Sequence, residues 1–377
     1  MLGAIDEIAA LVRSGRGDRH VREAAGMTTK EPICVVLAGG SGTRLWPASR
    51  RDRPKFLIDV GDGEPMLTTT LRRAVRVTRP DLVWVVTGAD HAAETRAIAE
   101  PFGARVVIEP APRDTAAALL LVAMLIEQRH PGSIAISMPA DHRISDPGDA
   151  WPGIVRTAAE QAGRGLIACV VVPARQPDTG LGYVHARATP DGDVLLAEKF
   201  HEKPDLPTAR GYLESGMYFW NTAIMAWAPK VFITAARAHA SRLAAQVTSA
   251  LHPDGSIDAV RWQDTEVVAV EPAVIEPAAA QRGVSVVPAD FDWTDVGTWA
   301  TVAGGLPSSE QDVITLDCRP PVVYADRRQA RRYAVVGLDD LIVVECDDVV
   351  LITDKYHAAD VKRLVADLPR QNGTDLL

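Results

Sequence analysis

The stretch Ile33-Cys-Val-Val-Leu-Ala-Gly-Gly-Ser-Gly-Thr-Arg-Leu-Trp-Pro47, followed by Arg53-Pro-Lys-Phe56, decides how the rest of the chain is read. A short apolar run, Ile33–Ala38, stops abruptly at Gly39, which is the pattern of a buried strand feeding a glycine-rich turn. Glycines let the backbone turn tightly with its N–H groups aimed at one spot, and they remove side chains that would block a phosphate. Arg44 and Lys55 add cations suited to a polyphosphate. Two familiar phosphate loops do not fit. A P-loop needs glycine and lysine where Arg44 and Leu45 stand, and a dinucleotide fingerprint needs a third glycine at Leu45.

Outward from this stretch, apolar runs recur at Leu82–Thr87, Arg105–Ile108, Ser133–Met138 and Leu166–Val172. Helical patterns separate them at Met66–Thr78, His91–Phe102, Thr115–Arg129 and Trp151–Gly163. This alternation predicts an α/β fold with a doubly wound sheet and ligands at the carboxyl ends of its strands. Gly180–His185 and Val194–Phe200 are expected as an exposed hairpin, Pro207–Ser215 as a helix, and Met217–Ala228 as a strand returning to the sheet. Val231–Leu251 is expected as one long Ala-rich helix and Val284–Pro288 as a strand. Close-spaced short strands at Val322–Tyr324, Tyr333–Val336, Leu341–Cys346 and Val349–Thr353 predict a small all-β appendage, closed by a helix at Ala358–Leu368. The organisation expected is a leader over residues 1–30, a catalytic domain over 31–307 and the appendage over 308–377. The leader reads as a short helix, a disordered segment, or sequence upstream of a start at Met27.

The 377 residues are 47% hydrophobic and 24% charged, the balance of a globular protein. A formal charge of −9 argues against a nucleic-acid or anionic-membrane partner, so any phosphate site must be built locally. No apolar run approaches the roughly 20 residues of a membrane helix. Cys34, Cys169, Cys318 and Cys346 lie far apart without C-x-x-C spacing, and read as reduced thiols of a cytoplasmic protein.

The run Leu37–Pro47 with Pro54-Lys55 resembles the signature loop of the nucleotidylyltransferases that make nucleotide sugars, most of all the bacterial mannose-1-phosphate guanylyltransferases. The resemblance spans roughly residues 32–365 and includes Glu109-Pro-x-x-Arg113-Asp-Thr-Ala116, Pro139-Ala-Asp141-His142, Gly180-Leu-Gly182-Tyr183, Phe200-His-Glu202-Lys203-Pro204, Trp220-Asn221 and Phe291-Asp-Trp293-x-Asp295-x-Gly297. It implies a Rossmann-like nucleotidyltransferase fold with a mixed sheet, and the substrates GTP and a sugar 1-phosphate. By the same resemblance Leu37, Ala38, Gly39, Gly40, Ser41, Gly42 and Thr43 hold the nucleotide, with Arg113, Asp114, Thr115 and Asp141. Arg44 and Lys55 are the catalytic cations. Gly182, Tyr183, Glu202, Lys203 and Asn221 hold the sugar phosphate. Asp141 and Asp295 each follow a strand and would share a hard Mg²⁺ bridging phosphate oxygens. His142 reads as a packing residue.

The mechanism implied is in-line attack of an already ionised sugar phosphate on the α-phosphorus, needing no general base. A homodimer with contacts through the appendage is expected, and the stretch after Pro307 is too short for the additional cupin-like domain of relatives with a second, isomerase activity. The chain departs from its relatives at Asn221-Thr222-Ala223, where they carry Asn-Ser-Gly, and at Asp114, where they carry Asn. These departures keep open another sugar or cyclitol 1-phosphate as acceptor. A non-catalytic sugar-nucleotide sensor on the same fold is the alternative of a different class.

Overall fold

The computed structural model of the chain describes residues 31–40, 42–189, 194–306, 313–325, 331–371 and 373–377. Ser41, the expected leader and the expected junction at 307–308 lie outside the described residues. Strands and helices alternate through β1 (Ile33–Ala38), α1 (Met66–Ala74), β2 (Val83–Gly88), α2 (Ala92–Ala99), β3 (Arg105–Glu109), α3 (Asp114–Arg129) and β4 (Ala135–Pro139). After β5 (Arg143–Ser145) come α4 (Trp151–Gly163), β6 (Ile167–Pro173), β7 (Gly182–Ala188), β8 (Leu195–Glu202), α5 (Leu206–Ser215) and β9 (Tyr218–Trp227).

The main sheet has 9 strands in the order β3-β2-β1-β4-β9-β6, then β10 (Val284–Pro288), β8 and β7. β1 pairs in parallel with both β2 and β4, whereas β9 runs antiparallel between β4 and β6. The carboxyl ends of β1 to β4, β6 and β10 therefore share one edge. Period-2 alternation divides β1 between two cores: Ile33 and Val35 face the side covered by α3, and Cys34, Val36 and Ala38 face the side covered by α1 and α4. Cys34 and Cys169 are fully buried, and burial pushes the Cys34 thiol up to about 12.

The hairpin is not simply exposed. β7 pairs with β8 and also with β9, so the strands β9-β6-β10-β8-β7 close into a ring. Closure covers both faces of the hairpin: Tyr183 is buried in one core, and Val184 and Ala197 in the other. The expected long helix is also divided, into α6 (Pro229–His239) and α7 (Ser241–Ala250), by Ala240 at φ −129°, ψ 52°. Both halves pack on α3, and the bend lets each bring its own apolar face to it, a case of packing overriding propensity.

The chain continues through α8 (Ala259–Gln263), a π-helical turn at Glu271–Ile275, α9 (Glu276–Ala280), β10, β11 (Asp292–Thr294) and α10 (Trp299–Ala303). The appendage contains β12 (Val313–Leu316), β13 (Val322–Ala325), β14 (Tyr333–Val336), β15 (Leu341–Glu345), β16 (Val350–Asp354) and α11 (Val361–Asp367). Its first strands pair in parallel with the next but one, β12 with β14 and β13 with β15, so the chain coils there before β16 returns antiparallel on β15. The sequence pattern missed β12.

The registers of β6 and β9 slip between Val170, which faces Ile224, and Val171, which faces Asn221. Thr222 and Ala223 are the surplus residues of this bulge. Thr222 is fully buried and its hydroxyl donates to the Val170 carbonyl at 2.6 Å. Ala223 adopts φ +54°, a left-handed conformation that costs a side-chain-bearing residue about 1–2 kcal/mol. Ala223→Gly should therefore stabilise the protein by about 0.5–1 kcal/mol after the larger chain entropy of glycine is subtracted. Urea unfolding should show a higher midpoint at unchanged slope.

Candidate active site

The site begins where β1 ends. Gly42 has φ +61°, and a Cβ added to it would stand 2.5 Å from the Cβ of Lys55. Glycine thus lets the Pro54-Lys55 segment lie directly against the turn, which explains the pairing of these two motifs in the sequence. Lys55 is almost fully buried. Its ammonium donates to Asp141 Oδ2 at 2.8 Å and to the backbone carbonyl of Asp295. One cation therefore joins the glycine turn, the end of β4 and the end of β11. Arg44, half-buried on the same turn, has no hydrogen bond or ion pair to another described residue.

Burial opposes ionisation of Asp141, but the charge and hydrogen bond of Lys55 outweigh it and hold the carboxyl below its usual range. Asp295 goes the other way: burial is its largest influence and keeps its carboxyl above the usual range despite Lys55. Its Oδ1 accepts the Gly297 N–H at 3.0 Å. Burial also drives His142 down to about 4, and its Nδ1 accepts the Trp293 indole N–H at 3.2 Å, so it packs as a neutral ring. Among the described residues no cluster of three or more His, Cys, Asp and Glu offers a metal site. Two carboxylates remain, one of them under-compensated by positive charge. That donor set fits a hard cation completed by phosphate oxygens and water, not a protein-caged metal.

A cavity of about 460 Å³ opens on the other side of the glycine turn, at the carboxyl ends of β1, β2 and β3. Ala38, Gly39, Gly40 and Thr43 form one wall, and Glu109 to Pro112 form another. Two buried polar atoms on its lining have no hydrogen-bond partner among the described residues, Glu109 Oε2 and His91 Nδ1. Buried polar atoms are nearly always paired, and leaving one unmet costs about 1–3 kcal/mol. Glu109 is 9% exposed, and burial pushes its carboxyl up to about 7. Arg113, Asp114 and Thr115 are placed differently. The Arg113 guanidinium donates to the Trp262 carbonyl at 3.2 Å and to the carbonyls of Pro112 and Gln263. Asp114 Oδ1 accepts from the Thr115 N–H at 2.7 Å, and Thr115 Oγ1 accepts from the Val270 N–H at 2.9 Å. These three residues fasten the start of α3, and the cavity is walled by the residues just before them. Glu109 stood in the quoted motif, and a carboxylate closing the run Val106-Val-Ile is the signal that could have marked it. Asp90 and His91, just after β2, carried no such signal.

On the far side of Asp141, the ends of β7, β8 and β9 bring Gly182, Glu202 and Asn221 together. A Cβ on Gly182 would lie 2.6 Å from Glu202 Oε2 and 3.6 Å from the Asn221 Cβ. Glu202 and Lys203 are exposed and paired with each other, and Lys203 holds φ +47° while its N–H donates to the Leu181 carbonyl at 3.2 Å. The bulge re-aims Asn221, whose Oδ1 accepts the Ala223 N–H at 3.1 Å. Tyr183 is fully buried, its hydroxyl donating to the Asp178 carbonyl at 3.0 Å and accepting the Asp178 N–H at 2.8 Å, which clamps the loop before β7. Burial, then the charges of Glu202 and Asp114, keep the Glu271 carboxyl above its usual range.

The arrangement is one edge of an α/β sheet carrying a glycine turn, a shared cation and two carboxylates, with a cavity on one flank and the Gly182, Glu202 and Asn221 cluster on the other. Residues 33–305 match the nucleotidyl transferase family and residues 311–368 match the mannose-phosphate isomerase/GMP-like beta-helix domain. The chain belongs to the nucleotidyl transferase family and is an enzyme of that class. It is 33% identical over 351 residues to the xanthan biosynthesis protein XanB of Xanthomonas campestris pv. campestris (strain B100), covering 89% of this chain and 72% of that protein. It is 31% identical over 356 residues to the mannose-1-phosphate guanylyltransferase of Escherichia coli K12, covering 89% and 73%. The crystal structure of a mannose-1-phosphate "geranyltransferase" from Thermus thermophilus superposes with a TM-score of 0.78 at 29% identity, covering 90% of this chain and 100% of that one. Among the described residues no helix is long and apolar enough to cross a membrane.

Because the Glu109 carboxyl titrates at about 7 in the folded chain and near 4.5 when exposed, the folded state holds its proton longer. Stability should fall as the pH rises between these values, since the unfolded side chain ionises first. Glu109→Gln should flatten that part of the profile and raise the melting temperature above pH 7.

Proposed function

We propose that the enzyme transfers a guanylyl group from GTP to mannose 1-phosphate, giving GDP-mannose and pyrophosphate. The observation that carries the nucleobase is the orphaned Glu109 carboxylate in the 460 Å³ cavity beside the glycine turn. Guanine offers a carboxylate two adjacent donors, N1–H and the exocyclic amine. Adenine and cytosine each place an acceptor beside a single donor there, and uracil and thymine offer one donor only. A buried carboxylate that gains two donors as it ionises therefore favours guanine. The acceptor sugar is supported by the names of the relatives and by the convergence of Gly182, Glu202, Lys203 and Asn221. The bulge at Thr222-Ala223 favours a second reading, the same transfer to a heptose or cyclitol 1-phosphate, because it places a methyl group beside Asn221.

In this reading the glycine-turn N–H groups and Arg44 receive the triphosphate. Lys55, anchored by Asp141 and Asp295, stays beside the reacting phosphate and offsets its growing charge. Lys203 orients the sugar phosphate, which is ionised at neutral pH and attacks the α-phosphorus in line with departing pyrophosphate. Asp141 and Asp295 would hold a Mg²⁺ ion, which neutralises phosphate charge when bound. We place the enzyme in the cytoplasm as a homodimer. The aliphatic outer side of β12 and β14, with Ile314, Leu316 and Val336 exposed, supports association through the appendage.

Pyrophosphate release tests this across GTP, ATP, UTP, CTP and dTTP with Mg²⁺, each paired with mannose, glucose or heptose 1-phosphate. Turnover confined to GTP and mannose 1-phosphate is expected; GTP turnover with a poor response to mannose 1-phosphate would move the assignment to the second reading. Glu109→Gln should lower kcat/KM for GTP by about 10- to 100-fold, the worth of a buried charged hydrogen bond. A variant that is both more stable and less active would mark a residue kept for its ligand. Asp141→Asn and Asp295→Asn should each abolish most turnover; Asp295→Asn should leave the unfolding free energy within about 1 kcal/mol of the parent, whereas Asp141→Asn, which strips the charged partner from buried Lys55, should cost about 3 kcal/mol. Full Mg²⁺-dependent activity in either would remove that residue from the metal site.

A further inference from the structure

The appendage reaches into the nucleotide side of the catalytic domain at one charged contact. Arg50 follows the glycine turn and lines the 460 Å³ cavity. Each nitrogen of its guanidinium is engaged: Nε donates to the Pro47 carbonyl at 3.1 Å, Nη1 donates to Asp348 Oδ2 at 2.7 Å, and Nη2 donates to Asp348 Oδ1. Asp348 lies in the turn between β15 and β16, 298 residues further along the chain. The side chain of Arg50 is 18% exposed and that of Asp348 46%. The hydrogen bond to Arg50 is the largest influence holding the Asp348 carboxyl below its usual range.

This fork sits on a shared core. Leu45, Trp46 and Ala48 from the glycine-turn segment pack with Val296 and Trp299, which follow Asp295, and with Tyr324, Ile342, Val344 and Leu351 of the appendage. The Trp299 indole donates to the Trp46 carbonyl at 2.7 Å, and the Trp46 indole donates to the Leu376 carbonyl at 2.8 Å. Val365, after α11 begins, also faces the cavity. Residues on both sides of the reacting centre are thus packed against the appendage, and the Arg50–Asp348 fork is an ion pair that ties it to the nucleotide end.

We propose that Asp348 is a positioning residue for the nucleotide: by holding the Arg50 guanidinium in a fork, it fixes the wall of the cavity and the path of the glycine turn, so that Asp348 sets triphosphate affinity without itself lining the cavity. The proposal rests on the reading of the 460 Å³ cavity as the nucleotide pocket. A fork of two charge-assisted bonds fixes orientation as well as distance, and orientation is what a preformed phosphate site needs. The surface pair Arg72–Glu64, equally forked but remote from the cavity, provides the comparison.

The test measures KM for each substrate, with binding of the triphosphate alone by calorimetry, in Asp348→Asn, Asp348→Glu and Glu64→Gln proteins. Asp348→Asn should raise triphosphate KM and Kd by about five-fold, with kcat and sugar-phosphate KM within about two-fold. Asp348→Glu should recover most of the loss, and Glu64→Gln should match the parent. Melting curves identify any general loss of folding, which would move both KM values and be shared by Glu64→Gln. An unchanged triphosphate Kd in Asp348→Asn would overturn the proposal. So would tighter binding, because it would make Arg50 a phosphate ligand that Asp348 withholds. Calorimetry uses whichever of the five triphosphates the parent binds, so an incorrect choice of guanine or mannose leaves the comparison intact.

Discussion

Everything in the site is arranged around the ammonium of Lys55. It lies where the glycine turn, the end of β4 and the segment after β11 meet, and it touches Asp141 through a carboxylate and Asp295 through a backbone carbonyl. Burying a charge this deeply is costly unless partners surround it. The fold supplies them from segments far apart in sequence, and the approach is possible only because Gly42 lacks a side chain. Displacing any of the three segments would leave a buried charge unmet. Electrostatics therefore makes the site's geometry a condition of stability as well as of chemistry.

The two flanks of this centre are built differently. On the nucleotide flank the strands are parallel and buried on both faces, and the turns at their carboxyl ends form the cavity. On the acceptor flank the ring of strands, with its bulge, turns side chains inward at positions that simple alternation would point elsewhere. Asp141, after β4, stands on the boundary between them.

The alternation of apolar runs and helical patterns made the doubly wound sheet legible, because parallel strands covered on both faces have no polar side to blur the signal. The glycine turn and the two aspartates were legible for a similar reason, as each follows on a strand, whereas Lys55 was marked by its place in the Pro54-Lys55 motif. What escaped was long-range pairing. The contact of β7 with β9 and the coiling of the appendage depend on partners that local pattern does not encode. Arg113 and Thr115, which the family resemblance places near the nucleotide, also fasten the start of α3 through their side chains, a tertiary role that local pattern does not encode. The division of the long helix at Ala240 follows from the shape of α3, which lies more than a hundred residues earlier.

The ring of β9, β6, β10, β8 and β7 also has a mechanical meaning. Every strand in it has a neighbour on each side, so widening the acceptor flank requires several hydrogen-bonded ladders to stretch together. The nucleotide flank ends instead at β3, which pairs only with β2 in the main sheet. One flank is hooped by strands, and the other ends in an edge strand. A hooped wall accepts or rejects an acceptor by a shape fixed before it arrives. Variation in the acceptor must then be written into individual side chains of the hoop, and Thr222-Ala223 lies at the point where that hoop is already bent.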